Sequence, residues 1–121
     1  MIFQICQIEI KVSNIKRSLE FYEKFFAWKP TPVSIHNVFV LNLPKESPYG
    51  ISLIPHEKPD IGSALTLYFK ASKEEFLTLK QKAVDLRLEN SSEPRMVSGY
   101  GEIFYIEDPD GHCFGIFSAF Q

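Results

Sequence analysis

The sequence predicts an α+β fold of two tandem βαβββ modules, and three observations carry that prediction. Residues 6–12, CQIEIKV, alternate polar and apolar side chains over a strand length. A stretch with helical apolar spacing follows. The strand and helix then recur, in the same order, when the chain is moved on by 57 residues.

Side chains of a strand point alternately to its two faces, so Ile8, Ile10 and Val12 share one face and Gln7, Glu9 and Lys11 the other. Ile15, Leu19, Tyr22 and Phe26 recur at four, three and four residues, which is one face of a helix, with Ser13 or Asn14 as its N-cap. Strands are predicted at 29–34, 37–43 and 50–54. In the second module Leu65, Leu67 and Phe69 take the places of Ile8, Ile10 and Val12. Leu19, Tyr22 and Phe26 fall on Phe76, Leu79 and Ala83, and Ser72 with Glu75 reads as a capping box. Strands follow at 86–96, weakly patterned, and at 102–107. The closing strand 113–117 matches 50–54 at a shift of 63. The 121 residues are one domain by size, with module one at about 1–57 and module two at about 58–121.

Each helix must bury its stripe on the face carrying Ile8, Ile10, Val12, Leu65, Leu67 and Phe69. The other face is left without a helix. The expected result is a curved mixed sheet with helices on the outer face and a concave cavity. Parity puts Gln7, Glu9, Ser52, Ile54, Ala64, Thr66, Tyr68, Cys113, Gly115 and Phe117 on the cavity side. Small residues at 52, 64 and 115 leave room there, and Tyr68 and Phe117, joined by Trp28 and Phe39, would form flat apolar walls. Core or interface filling is the competing role for these aromatics, above all for Trp28. Gln7 can donate or accept a hydrogen bond, and Glu9 can accept one. A solvated strand face is the competing role for Gln7, Glu9 and Lys11.

Thirteen basic and fifteen acidic residues give a net charge of −2 and form no basic stripe, which argues against nucleic acid as partner. No apolar run approaches the roughly 20 residues that span a bilayer. No basic segment leads into an apolar one at the N-terminus, so a cytoplasmic location is expected. Cys6 and Cys113 lack metal-type spacing and read as free thiols. Asn90-Ser91-Ser92 fits a glycosylation acceptor by chance on this reading. Asp108-Pro109-Asp110-Gly111 reads as a tight turn between two strands.

The stretch IEIKVSNIKRSLEFYEKFF resembles the opening of the vicinal oxygen chelate superfamily, which includes glyoxalase I, bleomycin-resistance proteins, fosfomycin-resistance enzymes and extradiol dioxygenases. Val12, Asn14, Ser18, Phe21 and Tyr22 stand at its motif positions, with Asn14 where Asp is usual. IEDPDGHCFGIF resembles the closing motif through Asp108, Pro109, Asp110 and Gly111, with His112 in place of Asn. The resemblance covers the whole chain.

It implies a divalent metal on the concave face, held by His, Gln and Glu from the first and last strands of the modules and acting as a Lewis acid. At those positions this chain carries Gln7, Ala64, Ser52 and Gly115, of which one is a plausible ligand. A different set, built from Glu9 with His36, His56 or His112, has no recognisable ligand spacing; the three histidines are expected in loops or turns. The expected function is therefore binding of a small organic molecule without a catalytic metal or other cofactor, similar to drug-sequestering members. The expected ligand-binding residues are Gln7, Glu9, Ser52, Thr66, Tyr68, Gly115 and Phe117, with no catalytic residue assigned. The resemblance further implies a homodimer, with pockets built between sheets of both protomers. Two alternatives stand beside it. One is a lyase, isomerase or transferase using zinc, nickel, manganese or iron on an atypical ligand set; the other is a non-catalytic dimerisation or regulatory module. Metal-independent catalysis with Glu9 as base also stays open.

Overall fold

Backbone pairing follows the alternation of the sequence. In a computed structural model, which describes residues 3–33, 36–62, 65–88 and 90–119, the chain forms ten elements. They are β1 (Gln7–Val12), α1 (Ile15–Phe26), β2 (Pro30–Pro32), β3 (Phe39–Leu41), β4 (Gly50–Pro55), β5 (Leu67–Lys70), α2 (Lys73–Asp85), β6 (Arg95–Val97), β7 (Gly101–Glu107) and β8 (Cys113–Ala119). The strands make two four-stranded mixed sheets, in the orders β1-β4-β3-β2 and β5-β8-β7-β6. Packing divides the chain into two units, Met1–Asp60 and Ile61–Gln121. Ser34 and Ala64 lie outside the described residues.

In the first unit β1 runs parallel to β4, with Ile8 opposite Ile51 and Ile10 opposite Leu53. Parallel neighbours need a long crossover, which α1 and the β2–β3 hairpin supply. Pro30 and Pro32 cannot donate to a ladder, which confines β2 to the sheet edge. Ile10, Val12, Leu41, Ile51 and Leu53 are buried where α1 packs over β4. Asn14 caps the helix, its Oδ1 accepting from the Arg17 N–H at 3.1 Å. The helix ends at Ala27 in the left-handed conformation, φ 61.

The buried stripe of α1 is Ser18, Phe21, Tyr22 and Phe25, whereas Ile15, Leu19 and Phe26 of the predicted stripe are half-buried. The pairs Phe21/Phe25 and Tyr22/Phe26 both repeat at four residues, so the apolar arc is too wide for periodicity to choose its centre. Two expected cavity walls also belong elsewhere. Trp28 is 8% exposed and stacks on Phe26 at 4.1 Å and Tyr22 at 6.3 Å, which makes it part of the core. Phe39 lies opposite Leu53 and so shares the helix-covered face.

The second unit repeats the plan: β5 runs parallel to β8, and β8 pairs antiparallel with β7. Phe104, Ile106, Phe114 and Ile116 form the core with Phe76 and Ala83 of α2, and Phe76 meets Phe104 edge-on at 5.0 Å. Leu79 is half-buried. The capping box is present, with the Glu75 N–H donating to Ser72 Oγ at 3.1 Å and the Ser72 N–H donating to Glu75 Oε1 at 2.8 Å. The strand expected at 86–96 is confined to Arg95–Val97. Its first residues instead finish α2, the N–H groups of Leu86, Arg87 and Leu88 donating to the carbonyls of Lys82, Val84 and Ala83. Leu65, expected in the core, is 87% exposed, and β5 starts two residues after it.

Strand pairing also corrects the internal repeat. Ile51 and Leu53 correspond to Phe114 and Ile116 at the predicted shift of 63. Their partners Ile8 and Ile10 then correspond to Leu67 and Phe69, a shift of 59. The N-caps Asn14 and Ser72 correspond at 58. The sequence pattern had suggested 57 for both strand and helix. Sliding a strand by two residues leaves every side chain on its own face, so alternation cannot distinguish 57 from 59. The counterpart of Gln7 is therefore Thr66 rather than Ala64, and that of Glu9 is Tyr68.

Candidate functional site

Apart from Thr66, which precedes β5, the predicted site residues fall on sheet faces that, among the described residues, no helix of their own unit covers. On the first sheet Gln7 lies opposite Gly50 and Glu9 opposite Ser52. A Cβ added to Gly50 would sit 2.9 Å from Gln7 Oε1, so the Gln7 side chain lies across the glycine. Its Nε2 donates to the hydroxyl of the buried Ser52 at 2.5 Å. Glu9 is exposed, and its carboxylate has no hydrogen bond or ion pair among the described residues.

On the second sheet the register lays out three rows. The central one is Tyr68–Gly115–Tyr105. A Cβ on Gly115 would overlap the Tyr68 ring, so that ring fills the space a side chain would take. The Tyr68 and Tyr105 hydroxyls are 2.8 Å apart, with the rings at 71° and 5.8 Å between centroids. The bond to Tyr105 and then burial raise the pKa of the Tyr68 phenol.

The row on one side pairs Cys113 with Glu107. Loss of surrounding water, then the negative charge of Glu107, push the Cys113 thiol up. Asn90 Nδ2 donates to Glu107 Oε2 at 2.6 Å. Thr66, just before β5, is exposed. The row on the other side is Lys70–Phe117–Ile103–Arg95, one residue from each strand.

The structure thus gathers Gln7, Glu9 and Ser52 on one sheet and Tyr68, Gly115 and Phe117 on the other, with Thr66 at the edge of the second. Sequence reasoning missed Tyr105, Lys70, Arg95 and Glu107. Alternation within the predicted strand 102–107 carries Tyr105 and Glu107 on one face, a signal that becomes decisive once Gly115 is known to lie opposite Tyr105. The three histidines stand outside the strands, as expected. His112 closes the Asp108 turn, where the buried Asp108 carboxylate accepts from the N–H groups of Asp110 at 3.0 Å and His112 at 2.8 Å. Conformation is what this motif supplies.

No family model matches the chain, and no curated protein matches it. Solved structures do match. The fosfomycin resistance protein FosX from Listeria monocytogenes superposes with a TM-score of 0.83 at 18% identity, over 99% of this chain and 94% of that one. A glyoxylase/bleomycin resistance protein/dioxygenase domain from Frankia sp. EAN1pec gives 0.80 at 12%, over 99% and 100%. An integron cassette protein from the mobile metagenome of a Halifax Harbour sewage outfall gives 0.77 at 17%, over 97% and 99%. The chain has the vicinal oxygen chelate fold.

A point mutant of FosX from Listeria has also been solved with manganese(II) and 1S,2S-dihydroxypropylphosphonic acid. In the vicinal oxygen chelate enzymes, as the sequence resemblance implies, metal donors come from the first and last strands of the modules. With the corrected register those places hold Gln7, Thr66, Ser52 and Gly115 here. They supply an amide already bonded to a hydroxyl, a second hydroxyl and a glycine with no side chain. Without a carboxylate or imidazole, this set does not fit a divalent ion. Among the described residues no three His, Cys, Asp or Glu side chains gather as a metal-binding group elsewhere.

Proposed function

We propose that the chain binds a small organic molecule on the uncovered sheet face of its second module, without a catalytic metal. The observation that carries this reading is Gly115 with the Tyr68 ring packed on it, at the position where the family's enzymes place a metal-binding carboxylate. The face combines an apolar floor, Phe117 and Ile103, with a few polar groups: the paired phenols and, at its edge, Thr66. That mixture suits a small-molecule site. On the first module Gln7, Glu9 and Ser52 offer further hydrogen-bonding groups. The working form under this proposal is a cytoplasmic homodimer. No helix among the described residues is long and apolar enough to cross a membrane.

Native mass spectrometry tests the proposal directly, on protein as isolated and after incubation with manganese(II), zinc, nickel or iron(II). A dimer mass without metal, with or without a co-purified organic molecule, is the expected result. One tightly held metal per chain would overturn the metal-free reading and favour an enzyme with an atypical ligand set that includes Gln7.

A further inference from the structure

The row Lys70–Phe117–Ile103–Arg95 crosses all four strands of the second sheet, with a cation at each end and two apolar residues between. Neighbouring strands lie about 4.8 Å apart, so the two cationic residues are separated by roughly 14 Å at the backbone. Lys70 and Arg95 are exposed, and neither has an ion-pair partner among the described residues. The carboxylate on the same face, Glu107, stands two rows away and is engaged by Asn90. Tyr68 and Tyr105 border the row with hydroxyls that satisfy each other. A chain of net charge −2 therefore carries a locally basic strip over an apolar floor.

We propose that the occupant of this face is a flat organic anion, its apolar body on Phe117 and Ile103 and its negative group held by Lys70 or Arg95. The inference rests on the small-molecule reading above and gives it a ligand class. A neutral ligand of the same shape would gain the apolar contact but leave both cations without a partner. A cationic ligand would be repelled by them.

The test compares naphthoate with naphthamide, which match in shape and differ in charge, by titration into 15N-labelled protein without added metal. Naphthoate should shift the amides of Ile103, Gly115 and Phe117 and bind about 5–20-fold more tightly than naphthamide, with an advantage that shrinks as salt is added. Arg95→Gln and Lys70→Gln lie on edge strands with exposed side chains. Each should weaken naphthoate about 2–5-fold and leave naphthamide unchanged. Equal affinities at these amides would overturn the anion class while the small-molecule face stands. No shift on this face from either compound would overturn the small-molecule reading and the inference with it. Binding of naphthoate only after a divalent metal is added would overturn the metal-free reading and the direct role of the two cations.

Discussion

A methyl group on Gly115 would overlap the Tyr68 ring, yet Tyr68 lies on an edge strand and is 50% exposed, so the ring has somewhere to go. Gly115→Ala should therefore displace the ring and break the hydroxyl pair at a cost of about 1–3 kcal/mol. Tyr68→Ala should relieve most of that cost, and a double-mutant cycle in denaturant measures the coupling. Cys113 makes a second prediction at this scale. Partial loss of water around this exposed thiol, then the Glu107 charge, raise its pKa, so it should react more slowly than an unperturbed thiol with an alkylating reagent at neutral pH. Glu107→Gln should lower the thiol pKa and speed alkylation, which a pH–rate profile of labelling at Cys113 records. Alternation alone puts Tyr68, Gly115 and Phe117 on one face, and the pairing of β5 with β8 has them there. That the Tyr68 ring covers Gly115 was not legible, because it depends on which residue of β5 stands beside β8.

At the scale of elements, α2 depends on its first turn. Ser72→Ala removes the capping hydroxyl and should cost about 1 kcal/mol, read from the denaturation midpoint. The Ser72 backbone N–H, then its side chain, hold the Glu75 carboxyl below the usual carboxylate range. A depressed folded-state pKa stabilises the protein above the unfolded-state value, and that share is lost as pH falls through the folded one. Glu75 is exposed, so its share is on the order of a few tenths of a kcal/mol. Glu75→Gln should flatten the acid limb of the stability profile by that amount. This box was legible because Ser and Glu three apart have a local meaning. The α1 stripe was not, since four aromatics in six residues leave its centre to the sheet it meets. Nor was the start of the strand expected at 86–96, where carbonyls at the end of α2 captured N–H groups that the pattern assigned to a ladder.

For the whole molecule, the donor chemistry at Gln7, Thr66, Ser52 and Gly115 predicts indifference to divalent metal. A ligand that binds only the folded state raises the melting temperature by mass action. Neither manganese(II) nor a chelator should move the transition, and naphthoate should raise it; a rise with manganese(II) alone would contradict the proposed function. By itself the sequence determined the two-module α+β plan, the helices, the capping box, the Asp108 turn and the faces shared by Gln7 with Glu9 and by Tyr68 with Gly115 and Phe117. These follow from periods of two and 3.6 and from local hydrogen bonding, which act over a few residues. Tertiary structure alone decided the register between strands, and with it that Thr66 rather than Ala64 answers to Gln7, that Tyr68 covers Gly115, and that Lys70 and Arg95 end a single row. A two-residue slip changes no face and no local pattern. Only pairing between residues more than forty positions apart, such as Gln7 with Gly50 and Tyr68 with Gly115, can choose between the alternatives.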